Sequence, residues 1–380
     1  MSLMSKAAVY QRTLSCGTLE ITACRGDMAF DDLFDLAERR NPKRAFLFVS
    51  KVLGRHIPVS PATMRKVYQQ LAAQFPASLP GPVLFIGMAE TAVGLGAGVF
   101  DELRHRYRDG VYLTSTRHPV DGELLCEFKE EHSHATDHLI YLPGSPAMRQ
   151  NVLEARTLVL IDDEATTGKT FINLLAALRN TGRLPQIAQV ITVTLTDWSG
   201  DALPERCPLP VTSCSLVSGQ WRWKPSPTAA VPVMPSVNIT GRGASPITGK
   251  QSWGRLGMTV PAGDLGRTVS ASPGERVLVL GSGEFVWEPF LLAERLEAQG
   301  ARVLYSATTR SPIAIGFAIQ SAITFTDNYG LGIPNFVYNV AHQQFDRVLL
   351  CTETPADSVD AHLLQALAKV AAVVEIVTYE

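Results

Sequence analysis

Residues Leu158 to Thr170 read LVLIDDEATTGKT: four apolar residues, two adjacent acids, two further residues, then Thr-Thr-Gly-Lys-Thr. A short apolar run ending in acids and small residues predicts a buried strand that enters a turn and opens a helix. Such a turn suits an anion. Backbone N–H groups converge on a negative charge at a helix N-terminus, and the threonine hydroxyls add donors. The acid pair comes just before the turn and faces whatever the phosphate is attached to. A phosphate beside paired acids predicts a sugar phosphate.

Gly-Lys-Thr also ends the nucleotide-binding P-loop, whose pattern requires a glycine five residues before its Gly-Lys pair. Here that position is Asp163. A carboxylate where triphosphate oxygens would press on the backbone is repulsive unless a metal intervenes. The whole run instead resembles the PRPP-binding signature of type I phosphoribosyltransferases. The resemblance implies an α/β fold, with a parallel sheet flanked by helices and a hood. It also implies that Asp162 and Asp163 hold the ribose 2′ and 3′ hydroxyls, while Ala165, Thr166, Thr167, Gly168, Lys169 and Thr170 wrap the 5′-phosphate.

A chain of 380 residues suits two domains with separate cores. With 34 Lys+Arg against 36 Asp+Glu, the formal net charge of -2 marks neither a nucleic-acid nor an anionic-membrane binder. No apolar stretch approaches the length of a membrane span, and MSLMSKAAVYQRTL lacks the core of a secretory signal, so a cytoplasmic protein is expected. Its 6 cysteines form no CxxC pair, which predicts reduced thiols and no zinc site.

Strand-like runs at Ala45–Val49, Val83–Ile86, Val111–Leu113, Leu158–Ile161 and Val190–Leu195 alternate with helical stretches, the α/β pattern of a parallel sheet. The first domain is expected over residues 1–220. Residues 221–273, rich in Pro, Gly, Ser and Thr, read as a linker or an ordered arm. From 274 to 380 the alternation resumes, predicting a second, smaller α/β domain with helices around Pro289–Gln299 and Ala356–Val370.

Beyond Val83–Ile86 the chain continues Gly87, Met88, Ala89, Glu90, Thr91, small residues that let backbone approach a ligand at a strand's carboxyl end. In phosphoribosyltransferases this loop cradles pyrophosphate. Otherwise Gly94, Gly96 and Gly98 simply let a helix pack closely on the sheet. Past the next strand, Arg117 is the expected cation for a departing pyrophosphate, and the resemblance puts a mobile catalytic loop over Lys129, Glu130, Glu131, His132 and His134, with Glu131 expected among the catalytic residues. His132, His134, Asp137 and His138 are spaced one residue too long for the HxHxDH cluster of metallo-β-lactamase-like hydrolases, and a metallohydrolase stays open as an alternative. Magnesium, held by Asp162 and Asp163 directly or through water, is the expected ion, since PRPP supplies most of an octahedral oxygen shell.

Hypoxanthine-guanine enzymes of this superfamily carry an aspartate where Thr166 stands, so the acceptor base is not readable here. In the second domain, GSGEFV fails the dinucleotide pattern at Val286. Thr309, Arg310, Ser311 and Pro312 resemble the TRSP domain, a module named for that tetrapeptide and found after a phosphoribosyltransferase domain in biosynthetic proteins of bacterial tellurium-resistance and stress gene clusters. Glu284, Thr309, Arg310 and Ser311 are the expected ligand site, with hydroxyls and an arginine suited to phosphate or carboxylate. Together these features predict a phosphoribosyltransferase moving ribose 5-phosphate from PRPP to a nitrogenous base, with the second domain binding or processing the product. The alternative is a regulator that binds PRPP or a nucleotide without turnover. Expected partners are PRPP, a base, a second copy of the chain, and proteins of the same gene cluster.

Overall fold

The structure is a computed structural model that describes residues 8–39, 45–129, 137–227, 240–247, 254–261 and 263–379. The first part of the chain runs β1 (Ala8–Leu14), β2 (Gly17–Gly26), α1 (Phe30–Leu33), β3 (Phe34–Glu38), β4 (Phe46–Ser50), α2 (Pro61–Ala73), β5 (Val83–Gly87), α3 (Val93–Leu103), β6 (Val111–Thr114), β7 (Leu124–Lys129), β8 (Asp137–Tyr141), α4 (Pro146–Leu153), β9 (Thr157–Ile161), β10 (Glu164–Ala165), α5 (Lys169–Asn180), β11 (Gln189–Asp197), α6 (Ala202–Arg206) and β12 (Val211–Pro225). The second runs β13 (Arg276–Gly281), α7 (Trp287–Ala298), β14 (Arg302–Ala307), β15 (Ala322–Thr326), β16 (Pro334–Tyr338), β17 (Phe345–Cys351), α8 (Ala361–Leu367) and β18 (Ala371–Val377).

The main sheet has the order β1-β2-β12-β11-β9-β5-β6, with β10 paired to β11. Strands β12, β11, β9, β5 and β6 are parallel, and all five residues of both β5 and β9 are buried. Continuous apolar strands belong in the middle of a parallel sheet covered on both faces, and each buried aliphatic side chain there stabilises by about 1.5–3 kcal/mol. The chain steps from β5 outward to β6 and returns to β9 on the other side of β5. A crevice outside the carboxyl ends of β5 and β9, at this switch of direction, is where open α/β sheets bind ligands.

The predicted strand at Ala45–Val49 is β4, which pairs antiparallel with β3 as a separate hairpin and not within the main sheet. Strands β1 and β2 have half-exposed alternating patterns, and β12 continues to Pro225 by turning from its parallel partner β11 to antiparallel pairing with β2 across a bulge at Ser218/Gly219.

The second sheet, β14-β13-β17-β18, is wholly parallel, and its own change of direction falls between β13 and β17. The long helix expected from Ala356 is shorter: a 3-10 turn at Ala356–Ser358 precedes α8, whose N-terminus is capped by Asp360 accepting from the His362 N–H. One apolar core spans both domains. Phe290 of α7 meets Tyr68 of α2 edge-on at 5.5 Å, and Arg65 bonds Glu294 at 2.8 and 2.6 Å. The β3–β4 hairpin also leans on the second domain, its Ala37 and Val49 packing with Ile313, Ile319, Phe336 and Tyr338. Among the described residues no helix is long and apolar enough to cross a membrane.

Candidate functional site at the sheet's switch point

Gly87 lies directly beside Ile161 in register, and the Met88 N–H donates to the Ile161 carbonyl at 3.0 Å. The turn after β5 and the acid pair after β9 therefore share one floor. Asp162 and Asp163 are half-buried. The Asp163 N–H donates to Asp162 Oδ1 at 2.9 Å, and the Asp163 carbonyl accepts from Leu195 at 3.0 Å, so neighbouring β11 sets the backbone of the pair.

The turn Glu164–Gly168 then leads into α5 at Lys169. Gly168 occupies φ 72°, and a Cβ there would meet Leu203 at 2.8 Å, so the position requires glycine. Gly168 offers the helix no side-chain cap, and the Lys169 N–H reaches Thr167 Oγ1 at 3.5 Å. The first N–H groups and macrodipole of α5 thus point at the turn carrying Thr166 and Thr167, the arrangement that binds phosphate. Thr167 is exposed, while Thr166, Lys169 and Thr170 are half-exposed and Ala165 is buried.

In the Gly87 loop, the Ala89 N–H donates to Ser115 Oγ at 2.8 Å, which leaves the N–H groups of Glu90 and Thr91 without a partner among the described residues. A Cβ on Gly87 would sit 2.3 Å from Tyr112 Oη, which explains that glycine by packing. The Glu90 side chain is turned into the domain junction. It is buried, pairs with Arg55 Nη1 at 3.0 Å, and lies 3.6 Å from Arg310 Nε. Arg55 is itself fixed by the carbonyls of Glu90 at 2.8 Å, Gly283 at 2.7 Å and Thr308 at 2.7 Å.

Arg117 follows β6 and is half-buried, with its N–H donated to Glu284 Oε1 at 2.8 Å. Glu131, Glu130, His132 and His134 lie outside the described residues. His138 sits in β8, buried, its Nδ1 3.0 Å from Ser115 Oγ and its ring stacked on Phe128 at 4.8 Å, a place inside the hairpin's packing and not on its surface. Among the described residues no three His, Cys, Asp or Glu side chains gather as a metal cage.

The four expected residues of the second domain lie at the junction with the first and not around a ligand-sized space. Between Glu90, His118, Glu284, Arg310, Asp327 and Tyr329 the void is 10 Å³, room for about one water. Glu284 also accepts from Thr116 Oγ1 at 2.6 Å and from Arg255 at 3.2 and 3.3 Å. The Thr309 backbone pairs with Phe336, its Oγ1 accepts the Ser311 N–H at 3.1 Å, and the Ser311 carbonyl accepts from Tyr338 Oη at 2.8 Å.

Arg255 has no counterpart in the sequence reading. It comes from the Gly- and Pro-rich connecting stretch, is 1 % exposed, and bonds both oxygens of Glu353 at 2.8 Å while holding Glu284. It thereby fills the switch point between β13 and β17. The backbone around it is ordered by β6, where Met258 and Tyr112 exchange two bonds of 2.9 Å and Gly254 accepts from Thr114 at 3.0 Å. A separate cavity of 820 Å³ opens beyond this edge, between His118, Met148, Leu256, Trp287 and Tyr329.

Acid should loosen this junction. Burial opposes the charged form of Glu284, but His118, Arg255, Thr116 and the Arg117 N–H outweigh it and hold the carboxyl down from 4.5 to about 2. His56 is pushed down from 6.5 to about 3 by burial, with Arg55 adding to the effect. The stabilisation from Glu284 is complete above its unfolded value of 4.5 and fades toward about 2, whereas charging the neutral His56 disfavours the fold from 6.5 downward. In both ranges the unfolded chain binds more protons, so stability rises with pH. The urea midpoint is expected to fall between pH 7 and 5 and again below pH 4.5, with His56→Gln flattening the first decline; a wild-type midpoint unchanged from pH 7 to 4 would contradict this.

A mostly parallel sheet with a helix-opening turn and paired acids at its switch point makes this an α/β protein. Within that class, residues 33–220 match the family described as phosphoribosyl transferase, and residues 255–368 match the TRSP domain found C-terminal to it. The chain therefore carries a phosphoribosyltransferase-family region followed by a TRSP region. Among solved structures it is similar to adenine phosphoribosyltransferase of Rhodothermus marinus (17% identity, 49% of this chain, 94% of the other, TM-score 0.31). It is also similar to the enzyme of Giardia lamblia complexed with 9-deazaadenine (16%, 50%, 97%, 0.33), and to orotate phosphoribosyltransferase of Aeropyrum pernix (15%, 45%, 79%, 0.27). No curated protein matches the chain.

Proposed function

We propose that the chain transfers ribose 5-phosphate from PRPP to a nitrogenous base and releases pyrophosphate. The observation that carries this reading is the adjacency of the acid pair and phosphate turn after β9 to the Gly87 loop after β5, at one switch point. Phosphate sits on the turn before α5, and Asp162 and Asp163 take the ribose hydroxyls. Pyrophosphate meets the N–H groups of Glu90 and Thr91 on one side and Arg117 on the other. As the bond from ribose C1′ to the pyrophosphate oxygen breaks, its electron pair leaves with the pyrophosphate, and the base nitrogen bonds C1′ and loses its proton to water. Fixed donors aimed at the leaving oxygens, and carboxylates near the cationic ribose, lower the barrier most where charge develops.

Magnesium fits these residues. Asp162 and Asp163 offer hard oxygen ligands, too few for an all-protein cage but suited to an ion that keeps substrate oxygens and water. When bound, it would neutralise charge on the pyrophosphate. In this reading the second domain binds or processes the product, and the 820 Å³ cavity shared by both domains supports that part, since ligand pockets span roughly 300–1,000 Å³.

The test is a panel of nitrogenous bases incubated with PRPP and Mg²⁺, followed by pyrophosphate release and product mass. Base-dependent release with a product heavier by ribose phosphate is expected. PRPP binding with no release for any base would overturn the transferase and leave the regulator.

A further inference from the structure

The two loops that flank the pyrophosphate position in that reading are both held from the second domain. Glu284 follows the end of β13 and takes a donor from each of the two loop residues: the Arg117 N–H on Oε1 at 2.8 Å and the Thr116 hydroxyl on Oε2 at 2.6 Å, the latter oxygen shared with Arg255. Thr116 and Arg117 continue from Ser115, whose Oγ accepts from Ala89, so the end of β6 and the Gly87 loop move as one hydrogen-bonded unit. On the far side of that loop Glu90 is gripped by Arg55 and faced by Arg310. Arg55 spans the junction, bonding Gly283 and Thr308 of the second domain while it holds Glu90. The turn Thr308–Pro312 is tied down in its own domain, since Thr308 Oγ1 accepts the Gly283 N–H at 2.8 Å and Thr309 pairs with Phe336. The side chains of Glu284, Glu90, Arg55 and Arg310 are all buried.

We propose that the second domain is a positioning element of the transferase site: Glu284 sets the backbone of Thr116 and Arg117, and Arg310 with Arg55 sets Glu90. Three features favour this over a separate ligand site at the same residues. The void among them holds about one water. Their donors and acceptors are directed across the junction. Charge-assisted hydrogen bonds in a buried interface fix geometry more firmly than neutral ones. Arg310 in the TRSP tetrapeptide then acts as a second cation beside Glu90, adding to Arg55 in fixing where that residue of the loop sits. Residues so placed touch neither substrate nor product and act through the loops.

The inference rests on the transferase reading, and the test separates the two. Pyrophosphate release from Mg²⁺-PRPP is measured with the base found in the panel, on full-length wild type, Glu284→Gln and Glu294→Gln, beside thermal unfolding of each. The Glu284→Gln exchange turns one of the two acceptor oxygens that hold Thr116 and Arg117 into an amide donor. Glu294→Gln weakens the domain contact through Arg65, a contact that involves neither loop. Glu284→Gln is expected to lower kcat by roughly 10- to 100-fold, the scale of a small misplacement of reacting groups, with the KM for PRPP changed far less. Glu294→Gln is expected to lose stability while keeping the wild-type kcat. Unchanged kcat in Glu284→Gln, or an equal loss in both variants, would overturn the positioning role while leaving the transferase intact. A wild type that releases no pyrophosphate with any base would contradict the transferase reading and this proposal with it.

Discussion

Asp163→Asn is expected to stop PRPP turnover while leaving the protein folded. Asp163 is half-buried just beyond the end of β9, and the exchange keeps its shape, so stability should move by no more than about 1 kcal/mol. The bond given to Asp162 comes from the backbone N–H of residue 163 and survives the substitution. What disappears is a negative charge beside the ribose as it becomes cationic. Removing one group that stabilises developing charge typically costs about 10²–10³ in kcat. Loss on that scale, with an unchanged melting curve, is the expected pair of results. A variant with near wild-type turnover would show that the acid pair is not at the reacting sugar.

The largest expected effect on stability belongs to Arg255→Met. Arg255 is the shared partner of Glu284 and Glu353, all three side chains being at most 2 % exposed. Without the guanidinium two carboxylates are left in a buried junction, and breaking a buried pair from one side costs about 3–5 kcal/mol. Tyr329 keeps its bond of 2.7 Å to Glu353, which softens but does not replace the lost charge. The urea midpoint should fall accordingly. The triple replacement Arg255→Met, Glu284→Gln, Glu353→Gln should recover most of the loss, because removing all members of a buried ionic group is far less costly than removing one. A single variant within about 1 kcal/mol of wild type would contradict this account of the junction.

The site's local parts were legible in the sequence because their signals are local. Leu158–Ile161 is a continuous apolar run, and the acids, small residues and lysine after it fix strand end, turn and helix start within thirteen positions of one another. The Gly87 loop is legible for the same reason. β1 and β2 are not marked by apolar runs, and their signal is alternation, as in the inward Leu19 and Ile21 of β2. Ala45–Val49 has a strand's composition, but nothing in it says that β3 and not the main sheet is its partner. The junction was the least legible part. Arg55 bonds residues 228 and 253 positions away, and no local pattern encodes such contacts. Arg255 sits in a stretch whose composition reads as linker, though an arginine between Gly254 and the apolar pair Leu256 and Met258 hints at burial. The TTRSP turn announced polarity and charge but not the direction they face, which is toward Glu90.

In the proposed reading PRPP is held at residues 162–170 beside the Gly87 loop. Calorimetric titration of the full-length protein with PRPP in Mg²⁺ tests it most directly, with Asp163→Asn measured alongside. Saturable binding to the wild type that is lost or greatly weakened in the folded variant is the result predicted. Absence of binding to the wild type, or equal binding to both proteins, would contradict it.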